Sequence, residues 1–355
     1  MDYDVFEVHI PASVDDADAA DFIGAMDVRN VVETATYGSA EMAFLPAELL
    51  TGWHDQLSRP SRLFAVRIDG RIVGRAVFET QTNEAETAWL VVEVLPHYRG
   101  RGVGGALADR VESLAADGGR TKLLTFAASA DGSGERLVPP TGFGSVPADN
   151  PEVRFLLRRG WRLEQVARGS RLALPLDPDV LAERIGAAVA ASGPDYAVHT
   201  WLGPTPHRWL ADLAALNTRM STDAPSAGLE EPEDIWTVER LVEEEERRAT
   251  GPMTPLTAVT EHVPSGLLVG YTQLLVPAEV HRPVSQVDTL VLREHRGHRL
   301  GMLLKIANLA FLESARPGHP AVITFNAEEN RPMLDVNEAV GFVPIGYEGG
   351  WRRSL

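Results

Sequence analysis

The sequence predicts an α/β protein made of two tandem domains, each a mixed β-sheet flanked by helices. Three observations carry this reading. The chain has 355 residues, 44% of them apolar, which is too long for one ordinary core and enough for two. Residues 91–107 (VVEVLPHYRGRGVGGAL) and 288–304 (DTLVLREHRGHRLGMLL) repeat each other at an offset of 197 residues. Arg99 then matches Arg296, Gly104 matches Gly301 and Leu107 matches Leu304. The elements around both copies follow one order: strand, strand, strand, loop, helix, strand, helix, strand.

Taken along the chain, LFAVRIDGRIVGRAVFE (63–79) is a hairpin turning at Asp69-Gly70. Its counterpart, LTAVTEHVPSGLLVGYTQLLV, turns at Pro264-Ser265-Gly266, and Val73-Gly74 matches Val269-Gly270. Each Arg-Gly loop opens a helix, expected over 102–117 and 299–315, followed by an apolar strand at 122–126 (KLLTF) or 321–325 (AVITF). Each half then offers a short helix ending in Gly160-Trp161 or Gly341-Phe342. Residues 177–195 read as a linker helix closed by Gly193-Pro194. The domains are therefore expected at 1–178 and 195–355, with the linker at 179–194. Residues 129–149 are rich in Gly, Pro and Ser and read as a lid or a flexible insertion. Residues 230–248 form an acidic stretch of helical character, either a solvated face or a wall of the second cleft.

Composition excludes several classes. The net charge of −17 argues against nucleic acid as a partner. With no cysteine there is no disulfide, thiolate metal site or Cys nucleophile. No apolar run is long enough to span a membrane, and the acidic start, Met1-Asp-Tyr-Asp, is not a signal peptide, so a cytoplasmic location is expected. No His/Asp/Glu grouping has metal spacing, so no metal is expected. A homodimer is left open.

A strand ending in a Gly-rich turn that opens a helix is suited to a phosphate, because free main-chain N–H groups and the positive helix end converge there. Arg99, Arg101, Arg296, His298 and Arg299 add positive charge. A Walker loop fails, since neither loop contains Lys. Gly100-x-Gly102-x-x-Gly105 spells the dinucleotide fingerprint, but it follows the wrong strand. The acidic residue expected some 20 positions on is replaced by Arg120, Thr121 and Lys122.

The strand–loop–helix resembles the coenzyme A loop of the GNAT superfamily of N-acetyltransferases, with the signature Gln/Arg-x-x-Gly-x-Gly/Ala standing here as Arg99-Gly-Arg-Gly102-Val-Gly104. The resemblance covers both halves in element order, including a closing helix from Asn330 to Gly341-Phe342, and the chain resembles a tandem member of actinobacterial type. It implies that each sheet is splayed, with the pantetheine arm of acetyl-CoA adding like a short strand beside Val92 and Val94, or beside Leu290, Val291 and Leu292. The pyrophosphate would rest on Arg99, Gly100, Arg101, Gly102, Val103, Gly104 and Gly105, or on Arg296, Gly297, His298, Arg299, Leu300, Gly301 and Met302. Asn330 would stand on the coenzyme side.

The implied reaction is direct attack of a small amine on the acetyl thioester, with a base to deprotonate the amine. Glu93 and Asp288, on the fourth strand of each half, are the expected bases. The family's Tyr acid is replaced by Asn337 in the second half and by Leu156 in the first; Asn337 can still hydrogen-bond, and Tyr271 and Tyr347 are substitute acids. Of the two halves, the second is expected to carry the chemistry. Two rival readings remain: a catalytically silent CoA-binding sensor or scaffold, and an acyltransferase with another acyl donor.

Overall fold

The computed structural model describes residues 3–355. In chain order the elements are β1 (Val5–Glu7), α1 (Ala20–Tyr37), α2 (Pro46–Trp53), β2 (Ser61–Ile68), β3 (Arg71–Glu79), β4 (Thr87–Val94), α3 (Val103–Asp117), β5 (Lys122–Ser129), β6 (Arg136–Leu137), β7 (Val146–Pro147), α4 (Pro151–Arg158), β8 (Arg162–Ala173) and α5 (Pro178–Ser192). They continue with β9 (Tyr196–Leu202), α6 (Leu210–Asp223), α7 (Val238–Ala249), β10 (Met253–His262), β11 (Leu267–Pro277), β12 (Val284–Val291), α8 (Leu300–Ala315), β13 (Ala321–Ala327), α9 (Arg331–Val340) and β14 (Val343–Ser354).

The chain divides into two compact units. Unit 1 runs through Ala167 and takes in Ala227–Glu230 and Gly346–Leu355; unit 2 is Arg168–Ser226 with Glu231–Ile345. This differs from the sequence expectation of 1–178 and 195–355. The last ten residues count with unit 1 because β14 pairs antiparallel with β5 from Tyr347↔Ser129 to Ser354↔Lys122. Trp351, fully buried, fills the unit 1 core beside Leu163 and Val166. Residue pattern announces a strand but does not name the edge that it joins. The expected linker stretch is helical as α5, capped by the Asp177 side chain on the N–H groups of Asp179 and Val180.

In unit 1 the sheet order is β1-β2-β3-β4-β5-β14, with β4–β5 parallel and the other neighbours antiparallel. The hairpin turns at Asp69-Gly70 as expected, and both residues adopt positive φ. Phe22, Met26 and Val28 of α1 and Leu107 and Val111 of α3 are buried against this sheet. Unit 2 repeats the plan as β13-β12-β11-β10-β9, with only β12–β13 parallel. Its core gathers Leu256, Leu274, Ile306, Leu309 and Phe342.

Two other stretches take defined form. Within 129–149, β6 and β7 pair as a short antiparallel ribbon, tied by Arg136 to Ser145 and Asp131, so the insertion is built structure. In the acidic stretch the helix starts only at Val238, capped by Thr237, after Pro232.

Trp351→Ala should destabilise unit 1 by about 3–5 kcal/mol through the cavity it leaves. Urea unfolding followed by circular dichroism measures this, and a loss below about 1 kcal/mol would show that β14 is not part of that core.

Candidate functional site

The site begins where two strands part. β4 and β5 pair only at Thr87↔Lys122, Ala88↔Leu123 and Trp89↔Leu124. At the end of this zip the rings of Trp89 and Phe126 stack with centroids 5.9 Å apart. Beyond it, Leu90–Val94 and Thr125–Ala128 line a cavity of about 940 Å³. A strand edge left unpaired in this way can take a strand-like ligand.

The Arg-Gly loop closes one end of the cavity. Gly100 and Gly102 sit at φ 73° and 94°, in the left-handed region that favours glycine. Gly102 N-caps α3 without a side-chain cap, so the first turn presents its N–H groups outward. A Cβ added at Gly100 or Gly105 would meet no atom within 4 Å, which leaves open space over the main chain. Arg99 donates from Nε to the Val94 carbonyl at 3.1 Å and keeps its guanidinium exposed. Val92, Val94, Arg99, Gly100, Gly102, Gly104 and Gly105 thus come together on one cavity, joined by Arg154 and Arg158 of α4. Two expected residues do not line it: Val103 is buried in the core, and Arg101 lies over the Tyr98 ring.

The other end of the cavity carries residues that sequence reasoning missed. Arg29, Glu33 and Thr36 of α1 line it, with Arg75, Glu93 and Glu348. Glu93 is the expected base, yet it stands opposite Arg75 in the β3–β4 register, and cross-strand neighbours share a face. The two form a largely buried ion pair, so the Glu93 carboxylate is committed. Glu33 differs: its Oε2 is buried without a hydrogen-bond partner among the described residues. Burial pushes its carboxyl from 4.5 up to about 7, against the pull of Arg29 and with help from Glu348 and Glu93. The Tyr37 hydroxyl donates to Glu348 Oε1 at 3.0 Å, and burial raises both groups. A signal for this end was present: Arg29, Glu33 and Tyr37 recur every four residues, which is one face of a helix. Leu156, at the family's Tyr position, lines the cavity as a buried apolar residue.

Unit 2 keeps the backbone and changes the chemistry. β12 and β13 pair only at Val284↔Val322 and Ser285↔Ile323 before parting. Arg296 donates from Nε to Val291 O at 3.1 Å, as Arg99 does to Val94. Gly297 has φ 91°, but the place of Gly102 falls to Arg299, held left-handed at φ 53° at a cost of about 1 kcal/mol. Arg296 and Arg293 both reach the nearly buried Asp223 at 3.4 Å, and Arg219 joins them at 3.3 Å. The loop guanidinium is thus engaged by a carboxylate. His298 packs on Tyr196, Leu300 is buried, Leu290, Leu292 and Met302 pack in the unit 2 cores, and Gly301 faces open space.

The expected catalytic groups of unit 2 differ in exposure: Asp288 and Asn330 are half-buried and Asn337 is buried. Asp288 lies beside a bulge, where the β11–β12 register shifts between Thr272 and Leu274. Burial pushes its carboxyl up, while Arg248 and a hydrogen bond from Tyr271 oppose the rise. Arg248 is itself tied to Glu244 and Gln273. Asn337 is buried, with Nδ2 donating to Asn326 Oδ1 at 2.7 Å, and Asn330 N-caps α9 without a side-chain bond. In the first half the loop, the open strand edge and the acidic residues line one cavity; in the second, Asp288 stands with Tyr271 and Arg248.

Comparisons with known proteins agree with this plan. Residues 27–133 match the Acetyltransferase (GNAT) family, so the first half carries a domain of that type. The mycothiol acetyltransferase of Rothia mucilaginosa (strain DY-18) is 27% identical over 170 residues, 47% of this chain and 44% of that protein. YjhQ, an uncharacterized N-acetyltransferase of Escherichia coli (strain K12), is 35% identical over 89 residues, 23% of this chain and 47% of that protein. The chain thus spans less than half the length of either relative. Among solved structures, a tandem GNAT protein from the clavulanic acid biosynthesis pathway superposes with TM-score 0.71 at 24% identity, covering 99% of this chain and 98% of the other. A GCN5-related N-acetyltransferase from Sphaerobacter thermophilus gives 0.61 at 15% identity, covering 99% and 95%. The fold is a tandem GNAT fold. No helix among the described residues is long and apolar enough to cross a membrane.

The raised Glu33 carboxyl has a consequence for stability. Between about pH 4.5 and 7 the folded state holds a proton that the unfolded chain has released, so stability is fully present below 4.5 and falls as pH rises to 7. Glu33→Gln should remove this slope and stabilise the protein by about 3 kcal/mol above pH 7. Urea unfolding at a series of pH values checks it; parallel curves for the two proteins would refute the assignment.

Proposed function

We propose that the chain is a cytoplasmic N-acetyltransferase that takes acetyl-CoA and a small amine, with its chemistry in unit 1. One observation carries this reading: a single cavity joins the unpaired β4 edge, the anion-binding loop and the partly protonated Glu33. The residues fit the donor. The loop offers open main chain at Gly100 and Gly105 and the exposed Arg99 for the pyrophosphate, and the β4–β5 gap offers an edge for the pantetheine arm.

The incoming amine is an ammonium ion at neutral pH and must lose a proton before it can attack. Glu33 accepts that proton at Oε2, and its raised pKa places it near the working pH. The nitrogen lone pair forms a C–N bond to the thioester carbonyl carbon. A main-chain N–H on the open β4 edge meets the developing oxyanion. The C–S bond breaks, the second proton of the nitrogen passes to sulfur, and the products are the amide and the free thiol. Proton acceptance and carbonyl polarisation both fall to protein groups, so the proposed reaction calls for no metal. The ion pair of Arg75 with Glu93 fixes the wall against which the amine is placed.

Unit 2 supports a second role. Arg299 in the place of a glycine, and Arg296 bound to Asp223, favour a half that holds coenzyme weakly or serves as scaffold.

Gly105→Glu adds an anion to the open space without backbone strain and should abolish acetyl-CoA binding to unit 1 in calorimetric titration. Gly301→Glu should leave that binding in place. Loss in the second variant alone would move the site to unit 2. Glu33→Gln should lower amine-dependent thiol release about 10²–10⁴-fold while keeping acetyl-CoA affinity. An unchanged kcat would remove Glu33 from the reaction.

A further inference from the structure

Resting on the reading above, we infer that the acceptor is a small cationic amine that carries no carboxylate, and that Glu348, delivered by the last strand of the chain, selects it. The argument starts from which charges at the inner end of the cavity are already spoken for. Two guanidinium groups line that end. Arg75 is paired with Glu93 and touches Met26 Sδ at 3.8 Å. Arg29 donates to Asn30 Oδ1 at 3.1 Å and to the Met42 carbonyl at 3.0 Å, and its guanidinium lies over the Phe44 ring. Arg75 is thus committed on its Nε and Nη1, and Arg29 spends Nη1 on two oxygens of its own surroundings and a face on the Phe44 ring. The remaining charged groups there, Glu33 and Glu348, are both acids.

Placing an ammonium in such a site needs a counter-charge that stays when the proton moves. Glu33 gives up its charge on taking the substrate proton, so it cannot hold a cation throughout. Glu348 can once the ammonium stands beside it: burial raises its carboxyl, while the hydrogen bond from Tyr37 at 3.0 Å, the Arg29 charge and the arriving cation all favour its ionised form. An acceptor with its own carboxylate would set a third anion beside two others in a poorly solvated space.

The backbone around Glu348 is built to hold it still. A Cβ on Gly346 would fall 2.6 Å from the Tyr37 ring, on Gly349 2.5 Å from Trp351 Nε1, and on Gly350 2.9 Å from Phe126. Glu348 itself stands opposite Ala128, on the β5 edge that borders the cavity. The glycines of GYEGGW are thus the condition for close approach of the strand, and they fix one carboxylate at the acceptor end.

Matched amines test this: 1,5-diaminopentane against L-lysine, and 2-aminoethanol against L-serine, each pair differing by one carboxylate. The readouts are acetyl-CoA binding by calorimetry and amine-dependent thiol release. The wild type should prefer the member without the carboxylate by at least about tenfold in kcat/KM, an interaction of about 1.4 kcal/mol. Glu348→Gln should raise KM for the preferred amine about tenfold and erase the preference, leave acetyl-CoA affinity within about twofold, and be partly rescued by Glu348→Asp. Equal use of the carboxylated partner, or a preference that survives Glu348→Gln, overturns the inference. Acetyl-CoA binding without turnover of any of the four amines also overturns it and leaves the coenzyme slot standing. Absence of acetyl-CoA binding sinks the reading of unit 1 itself.

Discussion

The rest of the structure depends on a parallel pairing that stops early. β4 and β5 zip through three residue pairs and part at Trp89 and Leu124. Had they continued, every main-chain group of β4 would be satisfied and no edge would remain. Because they part, the sheet carries a gap whose walls are strand edges and whose mouth is the start of α3. The gap is stable because each strand is anchored on its other side. β4 pairs with β3 from Glu79↔Trp89 to Gly74↔Val94, and β5 pairs with β14 over eight residues. The terminal strand is therefore the support that lets the sheet stay open, and the residue that it brings to the gap, Glu348, is placed by the same contacts.

The charges at the inner end follow from the gap. A cavity walled by apolar strands disfavours lone ions, so each charge there is either paired or titrates upward. Arg75 and Glu93 take the first route, as cross-strand neighbours, and Glu33 takes the second. An identical residue type thus reaches opposite states a short distance apart, and the difference lies in the partner. The Glu93 carboxylate is occupied by a guanidinium, and Glu33 Oε2 is buried without a partner among the described residues.

Much of this was legible in the sequence, and what was not has a physical reason. The repeat placed both loops, both following helices and the Asp69-Gly70 turn, because these depend on local spacing and on glycine conformations. The glycines of the first loop follow from that same local pattern, Val92 and Val94 were implied by the family resemblance, and all of the expected first-half set but Arg101 and Val103 line one cavity. Glu33 and Glu348 were not: one lies on the first helix and the other on the last strand, and neither belongs to a motif. They meet only because β14 pairs with β5, a choice of partner that a strand's own residues do not encode. Glu93 was visible on its strand, but its tie to Arg75 required the register. The division of the chain was missed for the same reason, since Trp351 reads as a strand aromatic and says nothing of which core it fills.

The two loops show one duplicated backbone carrying two different sets of side chains. Arg99 and Arg296 make the same Nε bond to the strand-end carbonyl, at the same 3.1 Å, so this contact belongs to the turn and would be kept with or without a ligand. What differs is the remainder of each guanidinium and the residue immediately before the helix, Gly102 or Arg299. In unit 2 Asp223 engages Arg296, and a left-handed arginine stands where unit 1 has glycine. A similar departure lies deeper in α8, where Lys305 is buried against Phe342, its pKa pulled down to about 7 by burial. The corresponding face of α3 is apolar at Leu107 and small at Ala108. An open main chain over the helix start is what an anion needs, and a neutralised or obstructed one is what a scaffold tolerates. The main chain is open at both helix starts, over Gly100 and Gly105 and over Gly297 and Gly301, so the two loops part in charge more than in space: Arg99 stays exposed, whereas Arg296 is drawn to Asp223.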